Sequence, residues 1–259
     1  MCNYVRIVAS RSIKINDLEI EGEIDDRPVQ SGFDYLSWPV IKPTEWGFEI
    51  ANMEWGFLPS YVFTREHAEK FRKGYTDERG KYHVPMTTLN AKGEELLLPG
   101  KMYRDAALNR RCVIVASSFY EWRHIFPIGK KGLPLKTAIK YPYSIRLRDL
   151  NYLFIAGIWQ PWTDRNTGET VETLSLVTTD ANSLMAQIHN SKKRMPTTLT
   201  PVQALEWMTP DLTEGRITKL ATFKIPSGDM IAHTIRKDFR SIANPIEEFI
   251  YPEVPAPVM

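Results

Sequence analysis

Apolar and polar residues alternate in several short segments of the chain, which is the period of a half-buried β-strand. One segment, residues 112–117, is instead a continuous run of small and β-branched residues, which is typical of a strand buried on both faces. Cys112 begins this run and is predicted to be a structural core cysteine. The predicted strands cover residues 4–9, 112–117, 143–147, 152–159, 173–179 and 230–235.

Segments with an apolar residue at every third or fourth position predict helices between these strands. Thr64 and Thr200 are placed to cap two of the helices, and Pro201 suits the first turn of the second. Asp180 is placed to cap a third helix, at whose C-terminal end His189 lies. The helices capped by Thr64 and Thr200 are predicted to cover residues 64–73 and 200–208, and two further helices are predicted at 100–111 and 212–221.

Three segments interrupt the pattern of strands and helices. Residues 11–32 are polar and mixed, and they predict a short helix and a loop. Residues 46–55 predict a hairpin that turns at Ala51 and Asn52. Residues 123–141 contain many Gly, Pro and Lys residues and predict a loop.

The composition is that of a globular protein, with 259 residues of which 43% are hydrophobic and 25% are charged. The longest apolar runs are too short to cross a bilayer, and no secretory signal is visible, so we expect no membrane association. Two cysteines argue against a disulfide framework and fit a reducing compartment. No zinc-type Cys/His spacing and no phosphate-binding Gly-rich loop are present, so we expect no metal and no cofactor.

The net charge of +2 says little, but the distribution of charge is uneven. Residues 123–148 contain seven Lys or Arg residues and no Asp or Glu. Such a stretch can contact a polyanion. Solvated loop lysines are the more common explanation, so this stretch alone does not indicate a nucleic-acid site.

Cys2 is the first candidate for chemistry, because removal of Met1 would make it an N-terminal aminothiol. An α-amine has a pKa of about 7.7–8.0, so part of it is unprotonated near neutrality and can form a Schiff base with an aldehyde. The neighbouring thiol can then close a five-membered thiazolidine ring on the same carbon. The thiol could also act as an acyl-transfer nucleophile, or Cys2 could simply be a small residue that follows Met1.

Glu121 is the second candidate, since it stands between Tyr120 and Trp122 directly after a predicted buried strand. Apolar neighbours raise the pKa of a carboxyl group by desolvation, which suits a proton donor or acceptor near neutral pH. The alternative is a structural glutamate that is paired with an arginine.

Other polar or aromatic positions have weaker signals, and each has an ordinary structural explanation. The aromatic residues of segment 55–61, beside Gly and Pro, could stack on bases or could cap the core. Asn90 could orient a reacting group and Lys92 could hold a phosphate, or both could belong to a polar turn. His189 lies close in sequence to three consecutive cations, 192–194, but a histidine after a helix is usually a surface or capping residue.

Taken together, these segments resemble the SOS-response-associated peptidase (SRAP) family, the abasic-site-processing proteins, through most of the chain. No single segment is specific, but their combination and order are. The segments that carry the resemblance are Met1-Cys2, WGFLP at 55–59, NAKGE at 90–94, RRC through FYEW at 110–122, LVTTDAN at 176–182, Ile188-His189 and RMP at 194–196.

The resemblance implies a single compact domain over residues 1–259 with an α/β (α+β) fold. A curved, mostly antiparallel β-structure or barrel would be flanked by helices, and a tail from about residue 245 would lie along the surface. We further expect a monomer that is cytoplasmic and associated with the nucleoid.

The activity implied by the resemblance is the covalent capture of abasic sites in single-stranded DNA. In that family the mature N-terminal cysteine, here Cys2, reacts with the ring-opened aldehyde and forms a thiazolidine DNA–protein crosslink. The family is also credited with autoproteolytic removal of residues ahead of this cysteine and with β-elimination (AP-lyase) activity.

Roles for further residues follow from matching the family's motifs to this sequence. Asn90 would position the Cys2 backbone and the sugar, Glu121 would relay protons, and His189 would help to open the sugar ring beside the 3′ phosphate. The implied DNA contacts are Arg6, Tyr61, Lys92, Lys101, Arg111, Thr178 and Arg194.

This sequence departs from the family pattern at several positions. Asn3-Tyr4 replaces the usual Gly-Arg, so an expected phosphate-binding arginine is missing, and Arg6 could substitute for it. Lys92 stands where arginine is usual, which removes bidentate geometry. Tyr61 lies in a segment that replaces a Trp-containing wedge, and the four residues 190–193 make the segment before Arg194 longer than usual.

Two other functions remain open at the level of the sequence. The first is a thiol peptidase or amidase that acts in trans, with Cys2 as its nucleophile. The second is a non-catalytic module that binds single-stranded DNA and has kept the fold. The missing arginine and the altered wedge favour the second alternative.

Overall fold

The computed structural model describes residues 2–258. Its described residues form seventeen strands and five α-helices. The strands are β1 (Tyr4–Ile7), β2 (Ser10–Ile15), β3 (Leu18–Ile24), β4 (Arg27–Ser31), β5 (Ser37–Thr44), β6 (Gly47–Trp55), β7 (Tyr75–Thr76), β8 (Tyr82–His83), β9 (Asn90–Lys92), β10 (Arg111–Ala116), β11 (Ser118–Ile125), β12 (Ile139–Leu147), β13 (Leu153–Thr163), β14 (Thr170–Asp180), β15 (Arg194–Pro196), β16 (Thr198–Leu199) and β17 (Met230–Thr234). The helices are α1 (Arg65–Lys73), α2 (Arg104–Asn109), α3 (Ser183–Ile188), α4 (Pro201–Trp207) and α5 (Glu214–Ala221).

Five strands close into a barrel, in the order β14, β6, β5, β10, β13 and back to β14. Every pair in this ring is antiparallel except β14 with β6. Closure leaves none of the five strands with an unpaired edge along its whole length. The short strand β9 lies parallel to β14 beyond the end of the β6 pairing. The observed class, an α/β (α+β) fold with a mostly antiparallel barrel and flanking helices, confirms the predicted one.

A second sheet, in the order β17, β12, β11, β1 and β4, gives the start of the chain its position. On its inner face Val5, Phe119 and Ile145 join the main hydrophobic core. On its outer face Tyr120 packs with Phe239 in a separate cluster, which the C-terminal part of the chain covers. Alternate residues of β11 therefore face two different environments, as the period of a strand requires.

The prediction of a helix and loop at residues 11–32 is wrong, because this segment forms β2, β3 and β4. Ile13, Ile15 and Ile20 are buried on one face, and charged residues alternate with them on the other. The period of two was present in the sequence, but the charged residues concealed it. Asn16, at a left-handed φ of 55°, makes the tight turn between β2 and β3.

The predicted hairpin at 46–55 is also wrong in its turn, since Ala51 lies inside β6 and pairs with Val40 of β5. The turn lies earlier, between Thr44 and Gly47. Gly47 has a φ of 140°, a conformation that residues with a Cβ rarely adopt. The predicted loop at 123–141 is shorter than expected, because β11 continues to Ile125 and β12 begins at Ile139.

Two helices start later than the sequence indicated. Asp180 is the last residue of β14, and Asn182 is the N-cap of α3, accepting a hydrogen bond of 2.9 Å from the Met185 amide. Residues 104–109 alone are helical within the predicted helix 100–111. The caps of α1 at Thr64 and of α4 at Thr200 are confirmed, and Thr200 forms a full capping box with Gln203.

The C-terminal segment after residue 245 runs over the second sheet and ends beside α3. Tyr251 donates a hydrogen bond of 3.0 Å to the carbonyl of Ile235. Gln187 of α3 binds both the amide and the carbonyl of Val258, at 2.9 and 2.7 Å. Separately, no helix among residues 2–258 is long and apolar enough to span a membrane.

Candidate functional site

The four residues predicted to act on a substrate come from four different elements. Cys2 precedes β1, Asn90 begins β9, Glu121 lies in β11 and His189 is the C-cap of α3. The pairing of β1 with β11 brings the start of the chain next to the strand that carries Glu121. Helix α3 packs against β11 and delivers His189 to the same place.

Cys2 is fully buried within the main core, at 0% exposure. Its Sγ donates a weak hydrogen bond of 3.8 Å to the carbonyl of Tyr4. Burial raises the pKa of the thiol, and the nearby negative charge of Glu121 raises it further. The sulfur is therefore a neutral thiol near neutral pH, and it lies within electrostatic reach of Glu121.

Glu121 faces the inner side of the second sheet, together with its cross-strand neighbour Tyr143, and is 4% exposed. Desolvation raises the pKa of this carboxyl to about 7, which is the predicted direction, but the cause is burial on the inner face, since Tyr120 and Trp122 lie on the outer face. The Oε1 atom lies 3.8 Å from Nδ1 of His189. Glu121 thus faces a histidine, whereas the alternative interpretation required an arginine.

His189 is 5% exposed, and burial lowers the pKa of its ring to about 4. The ring is therefore neutral at physiological pH. Nδ1 lies 2.8 Å from the carbonyl of Arg194, which requires the proton on Nδ1 in the neutral ring. The lone pair then lies on Nε2, which is the arrangement of a ring that accepts a proton there.

Asn190 attaches the segment after His189 to the strand that carries Glu121. Its Oδ1 accepts a hydrogen bond of 2.9 Å from the amide of His124, and its Nδ2 donates one of 2.8 Å to the carbonyl of the same residue. These two bonds extend the ladder of β11 with a side chain. Because Asn190 follows His189 directly, they also fix the distance between His189 and Glu121.

Asn90 lies beside the residue that follows Cys2. Its Nδ2 donates a hydrogen bond of 2.8 Å to Oδ1 of Asn3, and the Asn3 carbonyl accepts one of 2.8 Å from Gly32. The Oδ1 of Asn90 is buried and accepts no hydrogen bond from residues 2–258. Trp55, from the WGFLP segment, supports this position by donating to the carbonyl of Leu89 at 2.9 Å.

Lys92 and Lys101, both predicted to contact phosphates, converge on one carboxylate. Their Nζ atoms lie 2.8 and 2.6 Å from the two oxygens of Glu95, which lowers the pKa of that carboxyl to about 2. The segment is held close to α5 by Gly93, where a Cβ would stand 2.2 Å from the carbonyl oxygen of Ala221. Both lysines are exposed, but each already has a counter-charge.

Arg194 and Thr178 belong to a polar network next to His189, in which Thr178 is buried and the carboxylates of Glu94 and Asp180 reach the surface. The guanidinium of Arg194 binds Glu94 in a bidentate manner at 2.9 and 2.8 Å, and it also binds Asp180 at 2.9 Å. It further donates to the carbonyl and hydroxyl of Thr178, at 2.7 and 3.2 Å. In this arrangement Arg194 holds β15 to β14 and to Glu94, and through its own carbonyl it orients His189.

Arg6 and Tyr61 lie apart from the cluster around Cys2. Arg6 pairs with Ser118 of β11, and Glu121 is three residues further along, so the two side chains lie on opposite faces of the sheet. This position does not let Arg6 substitute for an arginine beside Cys2. Tyr61 is 46% exposed and forms an edge contact with Phe71, with ring centroids 6.2 Å apart.

Arg111 is buried and binds the C-terminal ends of two helices. Its guanidinium donates to the carbonyls of Ala107 and Leu108 at the end of α2, and to those of Trp207 and Thr209 at the end of α4. This contact satisfies carbonyls that a helix end leaves without partners, and it places a cation at the favourable pole of each helix. A DNA phosphate would have almost no access to it.

We predict that Arg111→Ala lowers the free energy of unfolding by about 3 kcal/mol, because it leaves several buried carbonyls without donors. Arg110→Ala is the matched control, since Arg110 forms an ion pair with Asp105 near the surface and should contribute less than about 1 kcal/mol. Chemical denaturation measures both. If the Arg111 variant kept normal stability but lost affinity for DNA, the structural role would be wrong.

Sequence reasoning missed three residues that organise this site, namely Asn3, Glu94 and Asn190. Each is a polar residue whose partner is distant in sequence: Asn90 for Asn3, Arg194 for Glu94 and His124 for Asn190. Glu94 lies inside the NAKGE segment and could have been singled out there. No local pattern distinguishes Asn190 from a surface residue. Among residues 2–258, no three His, Cys, Asp or Glu side chains are placed to share a metal ion.

Comparison with known proteins finds relatives that match most of this chain. Abasic site processing protein YoqW of Bacillus subtilis (strain 168) is 28% identical over 201 residues, which cover 78% of this chain and 75% of that protein. Abasic site processing protein HMCES of Gallus gallus is 24% identical over 214 residues, covering 78% of this chain and 57% of that protein. A crystal structure of a protein from Bacteroides thetaiotaomicron superposes with a TM-score of 0.70 at 29% identity, over 86% of this chain and 85% of the other.

The model of one protein family, described as SOS response associated peptidase (SRAP), matches residues 26–242. This range includes Asn90, Glu121 and His189 and ends before the C-terminal segment. Since the match spans most of the chain and the fold agrees with it, this protein belongs to the SRAP family.

Proposed function

We propose that this protein processes abasic sites in DNA, and that it captures them by forming a thiazolidine between Cys2 and the ring-opened sugar in single-stranded DNA. Its relatives YoqW and HMCES are named abasic site processing proteins, which supports the first part. The family match begins at residue 26 and does not include Cys2. The second part therefore depends on the site itself.

The observation that carries the proposal is a buried Cys2 thiol within reach of a carboxyl group that itself lies beside a neutral imidazole. Glu121 lies within electrostatic reach of the thiol, and it approaches His189 to 3.8 Å. A carboxyl with a pKa of about 7 can donate and accept protons at physiological pH. Capture of an aldehyde by an aminothiol needs both of these proton transfers.

The first step is addition of the Cys2 α-amine to the aldehyde carbon C1′. It requires a free amine, so we also propose that Met1 is removed beforehand; Met1 lies outside the described residues. The nitrogen forms a bond to C1′, the former carbonyl oxygen takes a proton, and the carbinolamine then loses water to give an imine. Protonated Glu121 would supply the proton that leaves with this hydroxyl group.

In the second step the thiol adds to the imine carbon and closes the ring. The Sγ–C1′ bond forms, the thiol proton is removed, and the imine nitrogen gains a proton, so the overall reaction releases one water. The carboxylate left by the first step would accept the thiol proton. His189 would act earlier, with Nε2 taking the hydroxyl proton of the closed sugar so that the aldehyde is exposed. The same imine would also allow β-elimination of the 3′ phosphate.

The alternative function, a thiol peptidase acting in trans, is less well supported by the electrostatics of the site. Such an enzyme needs a thiolate, which a neighbouring imidazolium usually stabilises. Here burial raises the pKa of Cys2 and lowers that of His189 to about 4, so both groups are neutral near pH 7. These directions favour a thiol that reacts only after an amine has bound its target.

The proposal is tested by incubating protein that lacks Met1 with a single-stranded oligonucleotide that carries one abasic site. We expect an adduct that survives denaturing electrophoresis, with an intact mass equal to the sum of both molecules less one water. An intact oligonucleotide of the same sequence is the control. Absence of an adduct with fully processed protein would reject covalent capture, and binding that ignores the abasic site would instead favour a non-catalytic DNA-binding module.

A further inference from the structure

A cationic hairpin extends from the strand that carries Glu121. Between β11 and β12 the chain folds back on itself, with Ile128 bridged to Pro134, and Gly132 in the turn at a φ of 71°. Hydrogen bonds of 2.8 Å join Gly129 to Leu133 and Leu135 to Pro127. Three of the seven basic residues noted in the sequence, Lys130, Lys131 and Lys136, therefore lie on a hydrogen-bonded projection.

Two lysines after His189 lie beside the base of this hairpin. Lys140 pairs with His124 across β11 and β12, and Asn190 binds both backbone groups of His124. Lys192 and Lys193 are the second and third residues after Asn190. The positive charges of Lys140 and Lys192 lower the pKa values of His124 and His189 respectively, in each case after the larger effect of burial. We name as the cationic surface Lys130, Lys131, Lys136, Lys140, Lys192 and Lys193.

The lysines of the cationic surface differ from the predicted phosphate contacts in whether a carboxylate already pairs with them. Lys92, Lys101 and Arg194 are paired with carboxylates. All six lysines of the cationic surface are exposed, and none of them forms an ion pair with another residue in the range 2–258. A phosphate that approaches these lysines does not have to displace a carboxylate.

The hairpin also offers apolar surface next to its charges. Phe126 is 49% exposed, Ile128 66% and Leu133 68%. Single-stranded nucleic acid presents both bases and phosphates, and proteins that hold it combine cationic side chains with aromatic or apolar contacts. The cationic surface and these side chains together match that chemistry.

We infer that the cationic surface binds the backbone of single-stranded DNA on one side of the reacting nucleotide, next to His189. This inference builds on the proposed function, because it concerns how the DNA beside the abasic site is held. The hairpin and the two lysines after His189 would then supply most of the electrostatic affinity for DNA. Lys92 and Lys101 contribute less, because Glu95 already neutralises part of their charge.

The test compares Lys130→Gln/Lys131→Gln with Arg11→Gln/Lys14→Gln, which removes two exposed charges from β2, away from the hairpin. Affinity for an undamaged single-stranded oligonucleotide is measured by fluorescence anisotropy over a series of salt concentrations. Each lost phosphate contact should reduce the slope of log K against log salt by about 0.7 for single strands. We expect a reduction of about 1.4 for the hairpin variant and no change for the control.

An unchanged slope in the hairpin variant would overturn the inference, and it would leave the hairpin as a surface for another kind of partner. A second measurement uses abasic oligonucleotides that extend only to the 5′ side or only to the 3′ side of the lesion. The hairpin variant should lose affinity for one of the two, and an equal loss for both would contradict binding on one side. The yield of crosslink at saturating DNA should stay normal, so failure of covalent capture and failure of this inference are separate results.

Discussion

Replacement of Cys2 by alanine is expected to abolish the stable crosslink while leaving the protein able to bind abasic DNA. Cys2→Ala keeps the α-amine once Met1 is removed, so an imine with the aldehyde can still form. Without the sulfur, the imine cannot close to a thiazolidine and hydrolyses again. Borohydride reduction should therefore trap an adduct with the variant, whereas denaturation without reduction should yield none.

Cys112→Ala is the matched control, because Cys112 is the other buried cysteine of the chain and lies in β10, within the barrel. It should crosslink normally, with only the small loss of stability that follows from removing one buried sulfur atom. Protein that retains Met1 is a second control and should form no adduct that survives denaturation without reduction, since the nitrogen of Cys2 is then an amide and cannot form a thiazolidine. A denaturation-resistant adduct of normal yield from Cys2→Ala would show that another nucleophile captures the DNA.

The sequence predicted the barrel strands well, because their patterns are local. The continuous apolar run at 112–117 and the alternation at 173–179 each became a strand close to its predicted bounds, as β10 and β14. The failure at residues 11–32 has a physical cause: β2 and β3 bury only one face, and exposed charges on the other face conceal the period. The turn at Thr44–Gly47 was missed because Ala51-Asn52 looked more turn-like than the true turn.

The candidate site was less accessible from sequence, because its geometry depends on contacts between distant segments. The direction of the pKa shift of Glu121 was predicted, but its cause is burial on the inner face and not the flanking Tyr120 and Trp122. The approach of Glu121 to His189 depends on the packing of α3 against β11. The charges of Arg111 and Arg194 looked available for DNA in the sequence. Only the tertiary structure shows that the guanidinium of Arg111 donates to helix carbonyls and that the guanidinium of Arg194 is paired with Glu94 and Asp180.

Replacement of Glu121 by glutamine is expected to slow crosslinking by about 10²–10⁴-fold, the usual contribution of a general acid or base. Glutamine keeps the size and the hydrogen-bonding capacity of the side chain but has no titratable proton. Single-turnover crosslinking at saturating DNA measures the effect. Affinity for undamaged single-stranded DNA should stay nearly unchanged, because the cationic surface and not Glu121 contacts the backbone.

The pH profile of the same variant gives a second, independent result. If protonated Glu121 donates to the leaving hydroxyl group, the wild-type rate should fall as the pH rises through about 7, where the carboxyl loses its proton. This bend should be missing from the profile of Glu121→Gln. If Glu121→Gln kept the bend near pH 7, the bend would belong to the titration of another group, such as the α-amine.

Stability measurements separate this role from that of a structural glutamate. The pKa of Glu121 is higher in the folded protein than its ordinary value of 4.5, so the folded state binds more protons than the unfolded state between about pH 4.5 and 7. The contribution of Glu121 to stability is therefore fully present below pH 4.5 and declines as the pH rises through about 7. Above pH 7, Glu121→Gln should melt at the same temperature as the wild type or at a higher one. If Glu121 were a structural residue paired with a cation, Glu121→Gln would have a lower melting temperature than the wild type, and its folded fraction would crosslink at the normal rate. These two results together would remove Glu121 from the mechanism.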